Sequence, residues 1–139
     1  MVRAVLDPNV IISALLSPDG APARALLAWL RGEFELVVSP LLLAELARAL
    51  AYPKLRKRIE PQDAHHIIEL LSSSANSAAD PEEAPPVRSR DPGDDYLIAL
   101  ASSASALLVS GDKHLLDLAK TLPILSPARF LERLALGDD

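Results

Sequence analysis

The sequence predicts an α/β fold: a three-layer α/β/α sandwich around a central, mostly parallel sheet, Rossmann-like in its wiring. Short β-prone runs alternate with helical segments along the whole chain, the pattern of βα units. The β-prone runs also end in sharp polar turns, Asp7-Pro8, Ser39-Pro40 and Ser110-Gly111-Asp112, beyond which the chain turns helical. A length of 139 residues fits a single domain spanning 1–139, large enough to bury a core.

Arg3-Ala4-Val5-Leu6 reads as the first strand, ended by Pro8, which cannot continue a central strand. A helix is expected over Val10 to Leu16, and Ser17-Pro18-Asp19-Gly20 is a turn. Ala21 to Arg31 is helical, with Ala25, Leu26, Trp29 and Leu30 on one face and Gly32 as its stop. Phe34 to Val38 is a second strand. Ser39 then caps a helix with Pro40 at its first position, and Leu42, Leu43, Leu46, Ala47 and Leu50 form its inward stripe.

A basic patch, Lys54 to Arg58, separates this helix from another over Pro61 to about Leu71. Ser72 to Pro86 is small, polar and proline-rich and reads as a loop. Val87-Arg88 is expected as a short strand, and Asp94 to Ala104 as a helix with Leu97, Ile98, Leu100 and Ala101 inward. Leu107 to Val109 is a clear strand, Leu115 to Lys120 a helix, and Pro123 to Leu125 a last short strand. Ser126-Pro127 repeats the cap signal before a final helix carrying Phe130, Leu131 and Leu134.

Composition narrows the function classes. Half the residues are hydrophobic, the net charge is −5 and cysteine is absent. Disulfides and thiolate metal sites are thereby excluded, and a cytoplasmic protein without a membrane span is expected. The negative charge argues against nonspecific electrostatic binding of nucleic acid, though not against an enzyme with local cations. The aromatic residues Trp29, Phe34, Tyr52, Tyr96 and Phe130 are too scattered for a base-stacking platform.

The acids are more informative. Ligands of open parallel sheets bind beyond the carboxyl ends of the strands. Asp7 follows the first strand and Asp112 follows Leu107–Val109, while Asp94 and Asp95 open a helix on the same edge. Glu45 lies about one turn inside an otherwise apolar helix. Each acid also has a local explanation. Asp7, Asp94, Asp95 and Asp112 can cap helices, and Glu45 can pair with Arg48 at (i, i+3). Jointly they describe a carboxylate cluster, which repels itself unless a cation sits within it. All-oxygen sites of this kind suit Mg²⁺ or Mn²⁺, ions that activate water and neutralise charge on a phosphodiester under in-line attack.

The segments VLDPNVIISALL (Val5–Leu16), VVSPLLLAELARAL (Val37–Leu50), RDPGDDYLIALA (Arg90–Ala101) and LVSGDKHLL (Leu108–Leu116) occur in the order found in PIN-domain ribonucleases. Together with ILSPARFLERL (Ile124–Leu134), they make the chain resemble that family, particularly the toxin components of bacterial toxin–antitoxin pairs. The resemblance spans nearly the whole chain. It implies a PIN-like α/β/α sandwich and a metal-dependent endoribonuclease, with an RNA substrate, a cognate antitoxin and a homodimer. It also implies that Asp7, Glu45, Asp94 and Asp112 are the catalytic, metal-binding acids, with Asp95 as an additional ligand or neighbour. Asn9 and Ser110 match family positions expected to orient ligands or water. Pro8 departs from the pattern, where small polar residues are commoner.

Lys54, Arg56, Lys57, Arg58, Lys113 and His114 are candidate RNA contacts. His65 and His66 do not share a helix face and are not metal candidates, and Trp29 is expected in the core. A catalytically weak PIN-like module that binds a protein partner is the alternative reading. A haloacid dehalogenase-type phosphatase also places an Asp after its first strand. It needs a second acid two residues later, where this chain has Asn9.

Overall fold

The computed structural model describes residues 1–85 and 87–137; Pro86, Asp138 and Asp139 lie outside them. Strands β1 (Arg3–Leu6), β2 (Glu35–Val38), β3 (Asn76–Ser77), β4 (Leu107–Val109) and β5 (Ile124–Leu125) form one sheet in the order β3-β2-β1-β4-β5. Every pairing is parallel. Ala4, Val5, Leu6, Leu36, Val37, Val38, Leu108 and Val109 are all buried. Continuous rather than alternating burial is what helices on both faces of a parallel sheet require.

Helices α1 (Pro8–Leu16) and α2 (Ala21–Leu30) join β1 to β2. Between β2 and β3 come α3 (Pro40–Leu50), α4 (Pro53–Arg56) and α5 (Pro61–Ser74). Right-handed crossovers put these five on one face of the sheet. The chain then passes to the other side of β1, where α6 (Asp95–Ser103) packs on β1 and β4. α7 (Lys113–Leu116) leads to β5, and α8 (Pro127–Ala135) closes the fold against α2.

The sequence-based expectations hold for most elements and fail at instructive places. α1 begins at Pro8 rather than Val10, because the Asp7 carboxylate accepts from the Asn9 N–H and proline is tolerated at the first helical position. Val87-Arg88 is not a strand. The fifth strand is Asn76–Ser77, inside the stretch read as a loop, and α5 runs to Ser74 within that same stretch. A two-residue, exposed edge strand of Asn and Ser has no apolar signal; it exists because Val37 and Val38 offer it an open edge. α7 starts earlier than expected, directly on its Asp112 cap, and ends at Leu116.

Crossover geometry orients the helices. β3 pairs with the last residues of β2, so α3 descends from the carboxyl rim of the sheet, α4 turns at the far end, and α5 climbs back. The descent begins at Ser39, which is buried and whose Oγ accepts from the Leu42 N–H at 3.2 Å. Ser39→Ala removes that cap, and a loss of about 1–2 kcal/mol is expected. It should appear as a lower urea midpoint with an unchanged m-value.

Among the described residues no single helix is long and apolar enough to cross a membrane. A cleft of about 450 Å³ opens at the amino ends of the strands, lined by Arg3, Ile98, Leu107 and Ile124 among others. Among the described residues no carboxylate lines it.

Candidate active site

The strand order reverses direction between β1 and β4, and such a switch point opens a crevice at the carboxyl edge. Asp7 and Asp112 flank that crevice. Asp7 leaves β1 with its N–H on the Val109 carbonyl of β4 at 2.9 Å, so the two strand ends are locked side by side. Its side chain is only 4 % exposed. Oδ1 accepts from the Asn9 N–H at 3.0 Å, and Oδ2 accepts from the Ser110 hydroxyl at 2.8 Å. The same Ser110 oxygen accepts from the Asp112 N–H at 3.0 Å. One fully buried serine thus ties the acid after β1 to the acid after β4.

Asp112 caps α7, its Oδ1 accepting from the His114 N–H at 2.8 Å. Asp94 arrives from the opposite wall. A single 3₁₀ turn over Pro92–Asp94, capped by Asp91, delivers it to the first turn of α6. Its Oδ2 is buried and has no hydrogen-bond partner among the described residues. Burial above all, then the neighbouring charge of Asp112, contact with that carboxylate, and the charges of Asp7 and Asp91, push Asp94 up to about 7. Burial likewise raises Asp7, with Asp112 adding to it against the two hydrogen bonds Asp7 accepts. Asp7, Asp94 and Asp112 therefore share one electrostatic site.

Glu45 stands at its margin. It pairs with Arg48 one turn along α3, and its charge, like those of Asp7 and Asp94, bears on the phenol of Tyr96. That phenol is pushed up chiefly by burial, then by Asp7, Glu45, Asp94 and Asp80, and so stays protonated. Asp95 is turned aside: its Oδ1 accepts from the Ser89 N–H at 2.9 Å and secures the loop before α6. Asn9 contributes its backbone to Asp7, while its exposed side chain lines a cleft of about 310 Å³ shared with Asp112.

Among the described residues no three acidic or imidazole groups are drawn together into a preformed metal-binding set. Without a cation, Ser110 holds Asp7, Arg48 holds Glu45, and Asp94 and Asp112 repel. The donor set nevertheless fits a hard divalent ion: every candidate donor is a carboxylate oxygen, and one buried oxygen, Asp94 Oδ2, lacks any other partner.

The cationic candidates divide. Lys113 and His114 are exposed immediately beside Asp112. Lys54, Arg56, Lys57 and Arg58 lie where α3 gives way to α5, at the other end of the sheet from Asp7, Asp94 and Asp112. His65 is exposed and faces Glu69 on its own helix, and Trp29 packs against the core.

Two site neighbours escaped sequence reasoning. Tyr96 sits two residues beyond Asp94, in a first helical turn that was read only for its inward apolar stripe. Asp80 belongs to the segment without periodicity; its Oδ2 accepts from the Leu41 N–H at the head of α3, and its Oδ1 is buried without a partner. No local pattern announces it.

Residues 3–114 match the family described as PIN domain, a span that contains Asp7, Glu45, Asp94 and Asp112. The chain belongs to the PIN domain family. This PIN domain is 32 % identical over 119 residues to the uncharacterized protein MJ1680 of Methanocaldococcus jannaschii, covering 84 % of this chain and 75 % of that protein. PAE2754 from Pyrobaculum aerophilum superposes with a TM-score of 0.60 at 22 % identity, covering 97 % of this chain and 90 % of the other. VapBC-1 from nontypeable Haemophilus influenzae gives 0.60 at 17 %, over 91 % and 99 % of the two chains. FitAcB from Neisseria gonorrhoeae gives 0.54 at 21 %, over 90 % and 98 %. At these identities the solved structures attest the fold of the PIN domain.

Ser110→Ala tests the bridge between its acids. Asp7 Oδ2 and the Asp112 N–H would lose a common partner, and a drop of about 10–100-fold in divalent-ion affinity is expected. Calorimetric titration with Mn²⁺ reads it directly.

Proposed function

We propose that this PIN domain is a metal-dependent endoribonuclease, the toxin of a toxin–antitoxin pair that acts in the cytoplasm. One observation supports the enzymatic part: Asp7, Asp94 and Asp112 stand near enough at the switch point for their charges to raise one another, and the buried Asp94 Oδ2 has no hydrogen-bond donor among the described residues. A protein gains nothing structurally from repelling buried carboxylates, whereas a cation-binding site requires them.

Asp7, Glu45, Asp94 and Asp112 would hold Mg²⁺ or Mn²⁺, with Asp95 held back by Ser89. When bound, the ion supplies charge neutralisation at the scissile phosphate and activation of water. The chain's own residues do the rest. Ser110 fixes the spacing of Asp7 and Asp112. Asp94, raised to about 7, would have to be deprotonated to serve as a ligand, so affinity for the ion would rise with pH through that region. Tyr96 keeps its phenolic proton and offers a donor at the edge of the acidic site. Lys113 and His114, exposed beside Asp112, are the cations nearest in sequence to the acids and would be available to a phosphate there.

The toxin assignment draws support from the likeness in fold to the structures named VapBC2, VapBC-1, FitAcB and FitAB. For this chain it implies a cognate antitoxin and a homodimer. The test is cleavage of an RNA panel by the purified protein with Mn²⁺, with Mg²⁺ and with EDTA. Cleavage in either metal and none in EDTA is the expected result. Tight partner binding with no cleavage under any condition would leave a protein-binding module instead.

A further inference from the structure

Glu45, Arg48 and Tyr52 stand at i, i+3 and i+7, which puts them on one stripe along α3 and its C-terminal turn. The stripe starts at the acid site. Arg48 pairs with Glu45, and both Tyr52 and Tyr96 are near enough to bear on its charge. Tyr52 is 55 % exposed, a large ring left in solvent at the foot of the helix. Beyond it the chain folds back, and Arg56 Nε donates to the Ala51 carbonyl at 3.1 Å, which pins that cation beside the end of α3.

Lys54, Lys57 and Arg58 follow, all exposed. Among the described residues none of the three forms an ion pair. Glu60 and Asp63 begin the next helix, yet neither closes on these cations. In a chain of net charge −5, so many unpaired cations on one short segment form a local reversal of sign. Alternating guanidinium, aromatic ring and ammonium groups are what a single nucleic-acid strand uses: phosphates meet the cations and an unstacked base lies on the ring.

We propose that single-stranded RNA is held along the exposed face of α3, running from Glu45 and Arg48 across Tyr52 to Lys57 and Arg58, so that the patch at the far end of the sheet anchors a strand whose other end lies among the acids. This rests on the nuclease reading, and it explains how cations remote from the acid site take part. The helix is 11 residues long, so the track extends about 16 Å at 1.5 Å per residue. Substrates too short to reach Tyr52 gain nothing from it.

The test is binding without chemistry. Fluorescence anisotropy in EDTA compares the native protein with Tyr52→Ala and with the double variant Lys57→Glu/Arg58→Glu, using a single-stranded RNA of roughly 12 nucleotides, within the usual span of strand-tracking sites. A loss of at least about fivefold for Tyr52→Ala is expected, since stacking of one base contributes about 1–3 kcal/mol. Tyr52→Phe should restore affinity. The double variant should weaken binding further and reduce the slope of log K against log salt by about 1.4, from two phosphate contacts on a single strand. A trinucleotide should bind all forms equally.

Native-like affinity for the longer RNA in both variants overturns the track. So does equal binding of duplex DNA, which cannot present an unstacked base to Tyr52. Because no cleavage is measured, failure here is separable from failure of the nuclease reading, which the metal-dependent assay decides on its own.

Discussion

Asp94→Asn is expected to reduce RNA cleavage by on the order of a thousandfold or more, and at the same time to stabilise the metal-free protein at neutral pH. The two effects have one cause. The Asp94 carboxylate is partly buried, faces Asp112 and feels Asp7 and Asp91, and one of its oxygens has no hydrogen-bond partner. An amide of the same shape removes the charge and can offer an N–H to the Asp112 carboxylate. The sign follows from linkage. A folded-state value near 7, above the ordinary 3.8, means the native protein holds a proton that the unfolded chain has already released. Stability from this group therefore falls as pH rises from about 4 to about 7 and stays low above that.

Thermal melts in EDTA should accordingly show the native protein losing stability between pH 5 and pH 8, with a smaller loss in Asp94→Asn. Adding Mn²⁺ should reverse the native trend by mass action and leave the variant almost unmoved. An Asp94→Asn protein that cleaves RNA at the native rate, or one destabilised equally at both pH values, would sink the assignment of Asp94.

Phe130→Ala should cost about 3–5 kcal/mol, a large part of the roughly 5–15 kcal/mol that holds a typical domain together. Phe130 is the one fully buried residue of α8, and its ring meets Phe34 edge-to-face with centroids 4.8 Å apart. Phe34 immediately precedes β2, so the contact fastens the last helix to the amino end of that strand. Truncation leaves a cavity between layers that cannot close around it. Urea unfolding followed by circular dichroism would measure the change, and Phe130→Leu should lose much less. A cost below about 1 kcal/mol would mean that α8 contributes little to the core.

Legibility followed the physics of each element. β1, β2 and β4 were readable because burial on both faces leaves a run of Val, Leu and Ala bounded by polar turns. α3 was readable from Ser39-Pro40 and a 3.6-residue leucine stripe. β3 was not, because an edge strand of Asn76 and Ser77 is created by its neighbour's open hydrogen bonds rather than by its own side chains. At the candidate site, Asp7, Asp94 and Asp112 were marked by their positions at strand and helix ends. Asp80 and Tyr96 were not, since their roles arise from contacts across the fold. The cap reading of Asp7 and Asp112 holds and is compatible with the proposed site role, since each carboxylate caps its helix through Oδ1 alone.

The Ser110–Asp7 hydrogen bond joins positions 103 residues apart. A β1 strand emerging during synthesis carries Asp7 with neither the serine that orients it nor the acids that oppose it. β4 must dock beside β1 before the crevice exists at all. Chains that lack β4 consequently hold the acids on unconnected segments, and the nuclease activity proposed here would require that β4 has followed β1 into the sheet.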